Sequence, residues 1–202
     1  MKQARIKRAT LANANLSRSD ISDADLSGSD ITGANLTNAN LTNSYLGKAN
    51  LRSANLSYAN LIRAYLNRTI LKAARMQYTN LFEADINNAD LSNADLSGAN
   101  LRSANLNNTN LSNANLSLAN LISANLNGTN LSNADLSNAN LIAANLSSAN
   151  LQTATVRNTI FLLNIGILDS QKEELESRGA IFIDDFQESN PDEVPAPVSP
   201  VS

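Results

Sequence analysis

Large apolar residues recur along this chain at every fifth position from Ile6 to Phe161, which makes 32 such positions in unbroken register. Two positions before each of them stands a small residue, nearly always Ala and otherwise Ser or Thr. Asn or Asp usually fills the position in between, and polar residues dominate the two positions that follow. Self-similarity at one fixed period is the sequence signature of a repeat architecture. The chain therefore predicts one elongated domain built from short, similar units.

A period of five excludes both regular secondary structures as the repeating unit. In a helix, five residues rotate the chain by about 500°, so successive leucines would drift around every face. In a straight strand, an odd period would place successive leucines on opposite faces. A chain that bends once per repeat returns every leucine to one narrow core. The frequent Asn and Gly two positions after the apolar residue suit such bends, because both tolerate positive φ.

The number of sides in the predicted coil follows from residues that match at a spacing of 20. Tyr45 and Tyr65 have this spacing, as do Tyr58 and Tyr78, and Asn fills four successive positions of this kind from 67 to 127. A three-sided coil, with a spacing of 15, would mix unlike residues in these columns. The columns favour four repeats per coil, about eight coils, and a rod about 38 Å long at the spacing of neighbouring strands.

The A-(N/D)-L-x-x pattern resembles that of the pentapeptide repeat family, and the resemblance covers residues 4–163. It implies an all-β solenoid, a right-handed four-sided (quadrilateral) β-helix with Leu and Ala inside, and it is the only source of the handedness. Uninterrupted, Asn-rich rods with a short C-terminal cap look most like the cyanobacterial members. The family includes many proteins of unknown role and some that mimic duplex DNA and protect DNA gyrase.

The chain after the repeats divides into two further segments. The period fails at Gly166, where a leucine is due. We therefore place the β-helix at 1–163, a C-terminal cap at 164–186, and a disordered, Pro-rich and acidic tail at 187–202. The cap either only covers the open edge of the last coil or also forms the interface of a homodimer.

One short helix and one short strand are predicted within the cap. Ser170 and Glu173 have the spacing of a capping box, which predicts a helix over about 171–178 that Gly179 ends. The apolar segment 180–183 then predicts a strand or docking segment.

The composition offers no catalytic machinery. The chain has no cysteine and no histidine, so disulfides, thiol chemistry and an imidazole base are absent. The many serines have no accompanying base, and there is no Gly-rich phosphate loop. Asp85, Asp90 and Asp95 fall on three successive sides of a coil, which indicates surface or turn-stabilising carboxylates rather than metal ligands. We expect no enzyme activity, no cofactor and no metal.

Charge is unevenly distributed along the chain. Residues 1–82 hold eleven Lys and Arg against four Asp, residues 83–168 hold two against five acids, and residues 169–202 hold two against nine. The first half of the predicted rod is therefore basic and its end acidic. The N-terminus enters the repeats without a signal peptide, and no apolar run is long enough to span a membrane, so we expect a cytoplasmic protein without membrane contact.

The segment 45–78 is the most distinctive part of the repeats. It contains all four tyrosines and six cations, and it has no acidic residue. Tyr45, Tyr65, Ile70 and Arg75 replace the usual Asn or Asp, and a sequence that breaks its own rule without structural need indicates function. Tyr and Arg also dominate interface energetics. The candidate partner-binding residues are Tyr45, Lys48, Tyr58, Arg63, Tyr65, Arg68, Lys72, Arg75 and Tyr78, and Arg52 is the sixth cation of the segment.

A second candidate surface is an apolar column at a spacing of 20 on one side of the coil. It is interrupted only by Arg102. A column of this kind is either a contact patch or a set of neighbours that pack on one another. Its residues are Ile62, Phe82, Ile122, Ile142 and Leu162.

Three functions are compatible with these features. The leading hypothesis is a non-enzymatic, rigid interaction scaffold that binds a protein partner, preferably acidic, through the band at 45–78. The first alternative is a DNA mimic, which needs a strongly negative rod because its target recognises the phosphate field. The second alternative is nucleic-acid binding through the same band, which combines aromatic rings with positive charge. Cations spread over four sides make nucleic acid the weaker partner.

Overall fold

The structure, a computed structural model, describes residues 1–183. Two strands and one helix lie at its C-terminal end: β1 (Ile160–Phe161), α1 (Asp169–Ser177) and β2 (Ile181–Phe182). Residues 1–159 consist of tight turns separated by single bridging residues. The expected disordered tail at 187–202 and the last part of the expected cap, 184–186, lie outside the described residues.

Each side of the coil pairs with the side 20 residues later. The bridges are parallel and join residues such as Tyr45 and Tyr65. The Leu46 N–H donates to the Tyr65 carbonyl at 2.8 Å, and the Tyr65 N–H donates to the Ser44 carbonyl at 2.9 Å. The spacing confirms that four repeats make one coil. Turns flank every side, so each side contributes one bridge and is too short to form a longer strand.

A β-turn follows nearly every buried apolar residue. The Ala14 N–H, for example, donates to the Leu11 carbonyl at 3.0 Å, and Asn13 between them has a φ of 58°. Positive φ at the third residue of a turn is the type II geometry, which explains why Asn and Gly are frequent there. Tyr58 adopts it as well, with a φ of 60°. Thr153 does not, because its branched Cβ makes positive φ costly.

The apolar and small positions form one continuous core. Every fifth residue from Ile21 to Leu146 is at most 2% exposed, as the inward assignment predicts. The inward Thr hydroxyls are also satisfied: Thr69 Oγ1 donates to the Leu46 carbonyl of the preceding coil at 3.0 Å. The apolar residues of the first coil are partly exposed, because that coil has a neighbour on one side only. Each buried leucine contributes roughly 2 kcal/mol relative to exposure.

Helix α1 begins two residues earlier than the sequence predicted. Its N-cap is Leu168, whose N–H donates to the side-chain oxygen of Gln171 at 3.0 Å. The expected pair of Ser170 and Glu173 is therefore wrong, because Ser170 already lies inside the first turn. Leu168 has no side-chain acceptor, so only half of a capping box forms. Gly179 follows the helix with a φ of 90°, in agreement with the expected end.

The cap covers the last coil through a strand pair, a ring stack and one arginine. Strand β2 runs parallel to β1, and the rings of Phe161 and Phe182 stack with centroids 4.8 Å apart. The guanidinium of Arg178 donates to main-chain carbonyls of the last coil at 3.0–3.2 Å. These carbonyls belong to Leu151, Gln152 and Ala154. Strand β2 lies within the apolar segment 180–183, where a strand or docking segment was expected.

Candidate functional site

The tyrosines of the band form two stacks, as their spacing of 20 predicted. The rings of Tyr45 and Tyr65 lie 4.7 Å apart and within 2° of parallel. They replace Asn at the middle of one side, which we call the tyrosine side. The two residues are 46% and 43% exposed, so their ring edges and hydroxyl groups face solvent while their facing ring surfaces cover each other.

The second stack lies at a corner of the rod. The rings of Tyr58 and Tyr78 are 5.3 Å apart and within 10° of parallel. Gly98 occupies the next position of the same column, and a Cβ there would lie only 2.5 Å from a ring carbon of Tyr78. The glycine therefore provides the space that the Tyr78 ring occupies.

Two of the candidate cations lie apart from the rest. Arg63 forms an ion pair with Glu83 of the next coil, with 2.6 Å between Nε and Oε2. This partner was not among the expected site residues, because Glu83 lies outside the segment 45–78. Arg75 is exposed at the middle of a different side.

The other four cations of the segment border a single side of the rod. This cation side runs from Lys48 to Arg52 in one coil and from Arg68 to Lys72 in the next. Lys48 and Arg68 stand at the corner shared with the tyrosine side. Lys48, Tyr45 and Tyr65 line a hollow of about 270 Å³ at this corner. Among residues 1–183, none of these four cations forms an ion pair. The six cations are spread around the rod, as expected, but four of them border one side.

Outside the band, Asn and Asp side chains form ladders along the rod. Their Oδ1 atoms accept the backbone N–H two residues on, and an Asn of the next coil donates its amide to the same oxygen. Asn105 Nδ2, for instance, donates to Asp85 Oδ1 at 2.9 Å. Tyr45, Tyr65, Ile70 and Arg75 have no side-chain amide, so no amide ladder runs through these four positions.

The three acids directly after the band have a structural role. Asp85, Asp90 and Asp95 follow Tyr65, Ile70 and Arg75 in the same three columns, and each accepts an amide N–H from the Asn of the next coil at 2.9–3.2 Å. A carboxylate suits the first place in a ladder, because it accepts and needs no acceptor below it. Among residues 1–183 no cluster of acids is arranged to hold a metal ion.

Three carboxyl groups in the first coils are held in the ionised form. The Ser22 hydroxyl and N–H donate to Asp20 and lower its pKa, and Thr32 lowers the pKa of Asp30 in the same way. Burial raises the pKa of Asp25, but hydrogen bonds from Ser27 and Lys7 outweigh it, so the net shift is also downward. A carboxyl group whose pKa is lowered by folding stabilises the fold at pH values above its unfolded-state pKa of about 3.9. This stabilisation is lost as the pH falls through the pKa of the folded state.

The apolar column is half-buried along its length, whereas Arg102 within it is exposed. Its members are Ile62, Phe82, Ile122, Ile142 and Leu162. The column lies at one edge of a side, and the Tyr58–Tyr78 stack lies at the other edge with Asn residues between them. The two candidate surfaces that the sequence analysis separated therefore meet on one side of the rod.

Large exposed apolar residues also gather at the C-terminal end. Leu163, Ile165 and Leu168 are 61–68% exposed, and Ile181 and Ile183 are 45% exposed. Strand β2 pairs with β1 on one edge, and no described residue pairs with its other edge. No helix in the described part of the chain is long and apolar enough to cross a membrane.

Comparison with known proteins identifies the class to which this rod belongs. The family model described as "Pentapeptide repeats" matches residues 1–38, 34–72, 79–117 and 119–158. The chain therefore belongs to the pentapeptide repeat family, as its repeat pattern predicted. No curated protein matches it.

Several solved structures are similar to this chain. A pentapeptide repeat protein of the Arabidopsis thaliana thylakoid lumen is 25% identical over 55% of this chain and 77% of its own, with a TM-score of 0.51. HetL of Nostoc sp. strain PCC 7120, involved in heterocyst differentiation regulation, is 29% identical over 82% of this chain and 86% of its own, with a TM-score of 0.44. QnrB1, a plasmid-mediated fluoroquinolone resistance protein, is 19% identical over 92% and 85%, with a TM-score of 0.42.

Proposed function

We propose that this chain is a non-enzymatic, rigid scaffold, a right-handed four-sided β-helix whose band at 45–78 binds an acidic protein partner. The observation that carries the proposal is the position of Lys48 and Arg68 at the corner beside the Tyr45–Tyr65 stack, where Lys48 and both rings line one hollow. The two phenols and two cations all offer hydrogen-bond donors, and no acid occurs in the band. Such a surface favours carboxylates, and Tyr and Arg are the residues that most often anchor interfaces.

The stacked rings argue against nucleic acid as the partner. In proteins that bind single-stranded nucleic acid, the bases stack on the exposed faces of aromatic side chains. Tyr45 and Tyr65 are separated by 4.7 Å and cover each other's inner faces, so no base fits between them.

The charge of the rod argues against a DNA mimic. Mimicry requires a negative surface along the rod, because the target responds to the phosphate field. Residues 1–82 instead carry eleven cations against four acids. Asp85, Asp90 and Asp95 have their Oδ1 atoms engaged in the ladders.

The tyrosine side is tested by the double variant Tyr65→Ala with Arg68→Ala. Both side chains are exposed, so we expect the fold and its thermal unfolding to stay as in the wild type. Binding of the native partner, captured from the host and then measured as a purified protein, should fall at least tenfold, which is the loss of about 1.4 kcal/mol or more expected at an anchor. Wild-type binding should weaken as salt rises.

The matched control is Leu118→Ala with Arg102→Ala, which removes one exposed apolar residue and one exposed cation outside the band. This control should bind like the wild type. If Tyr65→Ala with Arg68→Ala also binds at wild-type affinity, the band is not the recognition surface. The apolar column around Phe82 and Ile122 is then the better candidate.

We further propose that two copies associate through the C-terminal cap. The support is the group of exposed apolar side chains there, including Leu168 at 68% exposure, together with the second edge of β2, with which no described residue pairs. Burying such residues between copies removes apolar surface from water. Sedimentation should give the mass of a dimer for the wild type and of a monomer for Leu168→Glu, and a monomeric wild type contradicts the proposal.

A further inference from the structure

We propose that the cation side binds an extended acidic segment of the partner with an apolar residue at its centre. This inference rests on the proposed function and continues its surface around the corner formed by Lys48 and Arg68. Its four charges are separated by up to 24 residues in the sequence and come together through the spacing of 20.

The four cations are arranged in a way that the fold alone does not favour. Arg68 stands directly above Lys48, and Lys72 stands directly above Arg52, at the spacing of neighbouring coils. Like charges in directly opposite positions of paired strands are destabilising. Among residues 1–183 no acid forms an ion pair with any of them. An anion supplied from outside removes this repulsion.

The centre of the cation side is apolar. Ile70 replaces the Asn that usually stands there and is 38% exposed. Ile70 has no side-chain amide to donate to Asn50, and the amide ladder of this column begins with Asn110 donating to Asp90 at 3.2 Å. An exposed isoleucine surrounded by cations provides a contact for one apolar side chain flanked by acids.

The main chain of this side has no free edge for a partner strand. The Ile70 N–H donates to the Ala49 carbonyl at 3.0 Å, and the Leu51 N–H donates to the Ile70 carbonyl at 2.7 Å. The partner is therefore bound through side chains rather than by strand addition.

The length of the side sets the spacing of the partner residues. From residue 68 to residue 72 the chain covers at most about 13 Å at the rise of a strand. In an extended segment, residues on one face are about 6.8 Å apart. An acid, a central apolar residue and a second acid at alternate positions then face Arg68, Ile70 and Lys72. The recognised pattern is acid-x-apolar-x-acid.

Synthetic peptides with this pattern test the inference on the full chain. The probe is a peptide with the core Glu-Thr-Leu-Thr-Glu, and its controls are the rearranged core Glu-Glu-Leu-Thr-Thr and the uncharged core Gln-Thr-Leu-Thr-Gln. Binding is measured by titration at low salt. We expect the probe to bind, to be weakened by salt, and to bind more tightly than both controls.

The protein variants are Arg52→Glu with Lys72→Glu, and the matched control Arg102→Glu with Arg157→Glu. Both double variants change the net charge by the same amount, and all four substituted residues directly follow the buried apolar residue of their repeat. The two control residues are exposed. Arg52→Glu with Lys72→Glu should lose roughly tenfold or more in affinity for the probe, and the control should not. Should the charge reversal disturb folding, Arg52→Gln with Lys72→Gln gives the same comparison with a smaller loss.

Three results would overturn the inference. The first is equal binding of the probe by the wild type and by Arg52→Glu with Lys72→Glu. The second is equal binding of the probe and the rearranged core. The third is tighter binding of a single-stranded oligonucleotide that depends on the same two cations. If the native partner is lost on Tyr65→Ala with Arg68→Ala but kept on Arg52→Glu with Lys72→Glu, this inference fails while the proposed function stands.

Discussion

Leu106→Asp is expected to split or unfold the rod, because Leu106 is fully buried in the middle of the core. A carboxylate at this position has no cation beside it, and burying an unpaired charge costs several kcal/mol. The substitution also removes the leucine side chain, whose burial contributed roughly 2 kcal/mol. Because coils contact only their neighbours, the damage should begin locally and spread along the rod. Thermal unfolding and hydrogen exchange should show lower stability centred on this coil.

Leu118→Asp is the matched control for this substitution. Leu118 is 61% exposed and stands at a turn position with a φ of 62°. Asp tolerates positive φ better than Leu, so the variant should be as stable as the wild type or slightly more stable. If Leu106→Asp and Leu118→Asp unfold at the same temperature, the inward assignment of every fifth residue is wrong.

Removal of residues 164–202 is expected to cause association of the rod. The deletion takes away β2, the Phe182 ring stacked on Phe161, and the Arg178 hydrogen bonds to the last coil. It leaves apolar side chains and unpaired main-chain groups at an open edge, and such edges pair with other chains. Light scattering should detect species larger than those that the full chain forms, and the unfolding temperature should be lower than that of the full chain.

The control for this deletion is the removal of residues 187–202 alone. This segment is Pro-rich and acidic, and we expect its loss to leave the oligomeric state and the unfolding temperature unchanged. If the protein that lacks residues 164–202 forms no species larger than the full chain does and is equally stable, the cap is dispensable.

The fold could be predicted from the sequence because one rule is repeated with little variation. The period of five fixes which residues are inside, and matches such as Tyr45 with Tyr65 reveal the spacing of 20. Turn geometry follows from the frequent Asn and Gly, although the coil imposes the same positive φ on Tyr58 and Leu118. The helix start could not be fixed, because the capping pattern at Ser170 competes with an equally spaced partner two residues earlier.

The candidate site could be predicted only in part, because contacts between coils join residues far apart in sequence. The segment 45–78 drew attention, but the ion pair of Arg63 with Glu83 and the cation side depend on the next coil. The turn-stabilising role of Asp85 was predicted, but its place at the start of an amide ladder was not. A signal was present, since this acid stands 20 residues after Tyr65, and Asp90 and Asp95 have the same relation to Ile70 and Arg75.

The spacing of 20 is the claim on which the stacks, the ladders and the cation side all depend. The chain has no cysteine, so engineered pairs can report this spacing without interference. Ser112 and Ser132 stand at the same turn position in neighbouring coils, where Cα atoms about 4.8 Å apart are within the range of a disulfide. Ser112→Cys with Ser132→Cys should form an intramolecular disulfide on mild oxidation, whereas Ser112→Cys with Asn127→Cys, at the spacing of a three-sided coil, should not. A disulfide in the second pair and none in the first would contradict the account.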